Sequence, residues 1–104
     1  MIGNKMEYKR TEDVNGTCLQ GRINTSYQTL LDKLPPPIDY YDCYKTDVVW
    51  ALKFSDGTIA TVYNWKNGKN YLEEDGLELE EITEWNIGGH TKKALEYINQ
   101  LLSK

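Results

Sequence analysis

Residues 48–65 read VVWALKFSDGTIATVYNW, two runs rich in β-branched and aromatic residues joined by Asp56-Gly57. An Asp-Gly pair accepts the positive φ angles of a type I′ turn, so the stretch predicts a β-hairpin. A two-residue turn there sets Phe54 opposite Ile59, Leu52 opposite Thr61, Trp50 opposite Tyr63 and Val48 opposite Trp65 on one face. The other face then holds Val49, Ala51, Lys53, Ala60, Val62 and Asn64. Under this register one face carries a row of large rings, and the small residues of the other let a helix come close.

Working outward, Lys66-Asn67-Gly68-Lys69 reads as a loop leading into an acidic segment. A third strand is expected near Glu80–Ile87, followed by a helix from about Thr91 whose Ala94, Leu95, Ile98, Leu101 and Leu102 form an apolar stripe facing the sheet. Upstream, a short strand is expected at Thr17–Ile23. Thr25-Ser26-Tyr27-Gln28 fits a capping box, with Thr25 accepting from free amides and Gln28 reaching back, and Tyr27, Leu30, Leu31 and Leu34 have helical spacing. Pro35, Pro36 and Pro37 end that helix. Residues 38–47, IDYYDCYKTD, read as a loop or irregular edge, and residues 1–16 as a flexible N-terminal arm or loosely attached edge. The expected fold is α+β: one domain over 17–104, a small antiparallel sheet of three to four strands flanked by two helices, in the order β-α-β-β-β-α.

Composition narrows the function classes. The 104 residues fit one compact domain, which leaves no room for separate binding and catalytic domains. Eight Tyr and three Trp against one Phe put much of the apolar burial on rings, which also serve as ligand platforms. Glu73, Glu74, Asp75, Glu78, Glu80, Glu81 and Glu84 gather seven acids within residues 73–84, so that with the chain at −4 the remainder carries +3. Direct DNA binding is not expected from that balance, although a local basic site is compatible with it. Cys18, Cys43 and the sole histidine make neither a disulfide framework nor a zinc spacing, so no metal and no cofactor are expected. Without a charged-then-apolar leader pattern or a run of membrane-spanning length, the sequence reads as an intracellular chain with no membrane partner.

Two constellations carry binding chemistry. In WNIGGHTKKALEYI, residues 85–98, Gly88, Gly89, His90, Thr91 and Lys92 precede a helix whose first amides lack internal partners, and Lys93 follows. A glycine pair there lets a phosphate approach the backbone, with Lys92 and His90 adding charge and Thr91 capping or donating its hydroxyl. The same glycines also suit a tight strand-to-helix turn. In the hairpin, Tyr63 and Trp65 read as a stacking platform for a base, with Lys66 and Lys69 placed to meet attached phosphates and Trp50 assigned to the core. Trp85 either lines the same pocket or anchors the third strand. The acidic run has a third reading, as a mimic of a phosphate backbone. No nucleophile motif, phosphate-binding loop or dinucleotide fingerprint accompanies His90, so an enzyme is not expected.

The pattern W-A-L-K-F-S-D-G-T-I-A-T-V-Y-N-W-K followed by E-W-N-I-G-G-H resembles a family of short, mostly uncharacterised proteins of bacteriophages and large viruses. The likeness covers about residues 47–90, with Trp50, Trp65, Lys66, Ile87, Gly88 and Gly89 on the family's pattern, and departs from it at Asn64 and Asn86. It implies a viral protein acting in the host cytoplasm, of a class that antagonises host defence. Residue chemistry then favours sequestering a cyclic nucleotide or other nucleotide-like anion without turnover, through Tyr63, Trp65, Lys66, Lys69, Trp85, Gly88, Gly89, His90, Thr91 and Lys92, in a homo-oligomer that deepens the pocket. The alternative is an anti-CRISPR-like inhibitor that uses residues 73–84 as a nucleic-acid decoy against a host defence complex.

Overall fold

The computed structural model describes residues 7–38 and 46–103. It is an α+β fold with a five-stranded antiparallel sheet in the order β1-β3-β4-β5-β2. The strands are β1 (Tyr8–Arg10), β2 (Cys18–Asn24), β3 (Val49–Phe54), β4 (Ile59–Tyr63) and β5 (Glu84–Gly89), and the two main helices are α1 (Tyr27–Lys33) and α3 (Lys93–Leu102). A single helical turn, α2 (Lys69–Leu72), and 3-10 turns at Glu73–Asp75 and Leu79–Glu81 fill the connection between β4 and β5. Most of the loop expected at 38–47, together with Cys43, lies outside the described residues, as do residues 1–6.

The hairpin forms, one residue out of the expected register. The Gly57 amide donates to Phe54 O at 2.9 Å and the Phe54 amide to Thr58 O at 2.8 Å, which makes Ser55-Asp56-Gly57 a three-residue loop with φ of +92° at Gly57 alone. Trp50 therefore faces Val62 and Leu52 faces Ala60, where the two-residue turn put Tyr63 and Thr61. Since side chains alternate across a strand, the slip moves every β4 residue to the other face. The gain is a uniform apolar layer. Trp50, Leu52 and Phe54 now share a face with Ala60 and Val62 and bury against α1 and α3 through Leu30, Leu34, Ala94, Ile98 and Leu101. Tyr63 goes to the opposite face, away from Trp50.

Helix α1 starts one residue later than expected. Ser26 accepts the Thr29 amide at 3.1 Å as N-cap, while Gln28 bonds Asp32 at 2.9 Å instead of reaching back. Tyr27 at the head of that helix joins Trp50 and Trp85 in a three-ring cluster, with Trp50 and Trp85 edge-on at 5.7 Å between centroids. Trp85 Nε1 donates to Thr25 O at 3.0 Å, whereas the buried Trp50 Nε1 has no hydrogen-bond partner among the described residues.

The face turned away from the helices is crossed by the chain itself. β1 and β2 stand at opposite edges, so residues 11–17 must span four strand spacings, roughly 19 Å, a distance an extended chain of that length reaches. Val14 anchors this strap on the Val49–Ala51 cluster beside Tyr63 and Ile38. Tyr8–Arg10, in the stretch expected to be an arm or a loose edge, is the edge strand paired with Leu52–Phe54.

Candidate functional site

The two glycines that open the candidate anion site are strand residues, not a turn. Gly88 and Gly89 end the central strand β5, between β4 and β2. A Cβ on Gly89 would overlap the Ala94 Cβ of α3 and stand 2.9 Å from Ile59 O. A Cβ on Gly88 would lie 2.5 Å from Thr61 Oγ1 and 3.4 Å from the Tyr63 ring on the other face. Each glycine thus lets a neighbour press flat against the sheet, one on each side, and their burial places them beneath other groups instead of along a ligand path.

Beyond them the chain turns into α3 using its own oxygens. The N-cap, Lys92, has no side-chain cap; one residue earlier, Thr91 Oγ1 accepts the Lys93 amide at 3.3 Å and its carbonyl the Ala94 amide at 3.2 Å, and Lys92 O accepts Glu96 N–H. His90 Nε2 donates to Asn15 O on the strap at 2.9 Å, and Lys92 Nζ donates to Gln20 O at 2.9 Å. Gln20 sits at an irregularity in the β2–β5 ladder and turns its amide onto Gly89 O at 2.9 Å. A cleft of about 410 Å³ remains between the hairpin tip and α3, lined by Asp56, Thr58, His90, Thr91, Lys92, Lys93 and Glu96 among others. Its charge is mixed. The Tyr97 hydroxyl, 2.6 Å from Asp56 Oδ2, together with Thr58, holds the Asp56 carboxyl down at about 2, so a carboxylate borders this cleft throughout the neutral range.

Tyr63, Trp65, Lys66 and Lys69 lie at the other end of the sheet. Tyr63 pairs with Asn86 while Ala60 pairs with Gly89, which separates the two rungs by about 10 Å; Trp65 and His90 continue past either end, about 20 Å apart. The aromatic platform and the helix start therefore do not converge within one chain. Trp85 belongs to neither: it is fully buried in the ring cluster, anchoring β5 as one of its two expected roles required.

Around Trp65 the chain builds a closed knuckle. The buried Asn64 ties it down: its Oδ1 accepts the Asp47 and Val48 amides at 2.8 and 3.2 Å, and its Nδ2 donates to Asp47 Oδ1 and Asn67 Oδ1, both at 3.1 Å. Leu77 N–H returns to Asn67 O at 2.9 Å, shutting the loop. Inside it, Lys66 and Glu73 hold φ of +63° and +55°, left-handed conformations that side-chain-bearing residues rarely adopt and that concentrate where structure serves function. Lys66 Nζ lies over the Tyr71 ring, 5.8 Å from its centroid, and Lys69 Nζ sits 3.6 Å from Glu78, so both lysines have partners inside the knuckle. Trp65, Leu72 and Leu77 are 43%, 40% and 41% exposed, alongside the exposed Glu73, Glu74, Asp75, Glu78, Glu80 and Glu81. Glu78 and Glu81 cap their own 3-10 turn reciprocally; the others have no bonded partner among the described residues.

Sequence reasoning located the acids but missed Leu72, Leu77 and the Asn64 tie. Asn67-Gly68 and Asp75-Gly76 were the available turn signals; the left-handed backbone at Lys66 and Glu73 has none. Among the described residues, no group of three potential ligands could hold a metal ion, and no helix is long and apolar enough to cross a membrane. No protein-family model matches the chain, and no curated protein matches its sequence.

Proposed function

We propose that this chain is a non-catalytic binding protein that docks a basic protein partner through the knuckle of residues 65–81. The observation that carries the reading is the meeting, on one closed and strained loop, of exposed Leu72, Leu77 and Trp65 with carboxylates that have few internal partners. Apolar side chains at the centre of an interface supply affinity, about 1.5–3 kcal/mol for each one fully buried, while the surrounding charge steers encounter and selects a partner of opposite sign. Combined with the resemblance to viral proteins, this makes the basic nucleic-acid-binding surface of a host defence complex the partner class to test first. Binding of the purified chain to such a complex is expected to weaken steeply with salt. Replacing Glu78, Glu80 and Glu81 together by Gln should abolish it and Lys92→Ala with Lys93→Ala should leave it intact; the opposite pattern overturns the proposal.

A second reading keeps the nucleotide-like anion, supported by the cleft beside His90, Thr91, Lys92 and Lys93. It ranks second because Asp56 and Glu96 share that lining and because only an assembly of copies would bring Tyr63 and Trp65 to it. Cyclic di- and trinucleotides, at a hundredfold excess over the dissociation constant, should then add about 2.7 kcal/mol of stability. No rise in melting temperature with any of them removes this reading.

A further inference from the structure

We propose that Asn15-Gly16 is a site of spontaneous deamidation in the folded protein, promoted by His90, and that the other Asn-Gly pair, Asn67-Gly68, is protected by the fold. In this reaction the main-chain nitrogen of the following residue loses its proton to solvent base and attacks the asparagine Cγ. The new N–Cγ bond closes a succinimide as the Cγ–Nδ2 bond breaks and ammonia leaves. Water then opens the ring at either carbonyl, giving aspartate or isoaspartate. Glycine favours the attack because it has no Cβ to block the approach and turns freely into the required geometry.

Asn15 has the exposure and the lack of side-chain ties that the attack needs. It is exposed, its side-chain amide makes no hydrogen bond among the described residues, and its own N–H makes only a 3.5 Å contact with Asp13 Oδ1. Gly16, at φ +76°, is exposed, and its N–H has no acceptor among the described residues. The promoting group is the ring that the strap crosses. His90 Nε2 donates to Asn15 O at 2.9 Å, and that oxygen belongs to the same peptide group as the attacking Gly16 nitrogen. A donor on the oxygen stabilises the amide anion, which is the nucleophile, as hydrogen bonding to any charged form favours that form. Asn67 also has a donor on its carbonyl, the Leu77 amide, but its side chain and its neighbour are held: its Oδ1 accepts from Asn64 Nδ2 at 3.1 Å, and Gly68 is buried and packed so closely that a Cβ would overlap the Asp47 carboxylate, which keeps Cγ from swinging onto the Gly68 nitrogen.

The product matters to the strap. Isoaspartate lengthens the main chain by one carbon in the crossing between β1 and β2 and turns the carbonyl used by His90 into a free carboxylate.

The test is a time course of the full-length protein in neutral buffer, folded and in denaturant, with peptide mapping for the amide-to-acid mass increase and for isoaspartate. Asn15 should convert in the folded protein while Asn67 converts only in denaturant. His90→Ala should slow conversion at Asn15 about fivefold in the folded state, the factor a typical net hydrogen bond is worth, and leave the rate in denaturant unchanged. Asn67 converting as fast as Asn15 in the folded protein, or Asn15 slower folded than denatured, overturns the proposal. An unchanged folded rate in a His90→Ala variant with native circular dichroism overturns the role of His90. If that variant does not fold, the comparison of the two asparagines in the native chain still decides.

Discussion

Replacing Gly89 by alanine separates a glycine kept for packing from one kept for a ligand. The added Cβ would overlap the Ala94 Cβ and stand 2.9 Å from Ile59 O, and neither neighbour is the yielding tip of a long side chain. Carbon atoms settle near 3.5–4.0 Å, so α3 must retreat from β5 by roughly 1 Å or the end of the strand must bend. Overpacking of this kind costs typically 1–3 kcal/mol, against about 0.4–1 kcal/mol regained because alanine has less freedom to lose on folding. The expected net loss is about 1.3 kcal/mol, read by urea denaturation, or roughly 5–10 °C in melting temperature for a domain of this size. Shrinking the partner should recover part of it: in the Gly89→Ala, Ala94→Gly double variant the effects should be non-additive, with the penalty for glycine inside α3 setting how much returns. If Gly89→Ala melts at or above the parent temperature, the close approach of α3 to the sheet is not what requires glycine, and the reading of residues 88–90 as packed strand is refuted.

Asn64→Ala should cost about 2 kcal/mol in urea denaturation, because it strands the partly buried amides of Asp47 and Val48, and it should loosen the knuckle, which hydrogen exchange at Leu77 would report. The Asp56–Tyr97 bond makes stability pH-dependent: with the Asp56 carboxyl depressed to about 2 from its ordinary 3.8, its contribution is complete above pH 4 and falls away as pH drops through 2. Tyr97→Phe should flatten the melting temperature over that acid window, and should also remove a loss on the alkaline side, where the raised Tyr97 pKa carries the bond above the usual range for a phenol. Lys9 and Lys53 are directly opposed across β1 and β3, so Lys53→Glu should stabilise by about 0.5 kcal/mol in low salt and by less in high salt.

Alternating Val, Ile, Trp and Tyr around Asp-Gly was enough to place a hairpin, and the stripe from Ala94 to Leu102 enough to place α3 against it, because both patterns follow from backbone periods that no distant contact alters. The burial of Trp50 was legible too, as large aromatics seldom have another outlet, but its ring partners were not: the expected register set Tyr63 and Trp65 beside it, and the fold supplies Tyr27 and Trp85. The hairpin register was not: Asp-Gly suits both a two-residue turn and a three-residue turn ending in a left-handed glycine, and the choice fell to whichever set of β4 side chains packed better under the helices. That one-residue decision carried Tyr63 to the far face and so settled which residues of the candidate site could share a surface. Gly88, Gly89 and His90 show the same division. Their sequence marks a place where atoms must come close, and only the tertiary structure identifies the visitors as Ala94, Tyr63 and the strap at Asn15, since glycine is equally silent about a helix, a ring or a phosphate.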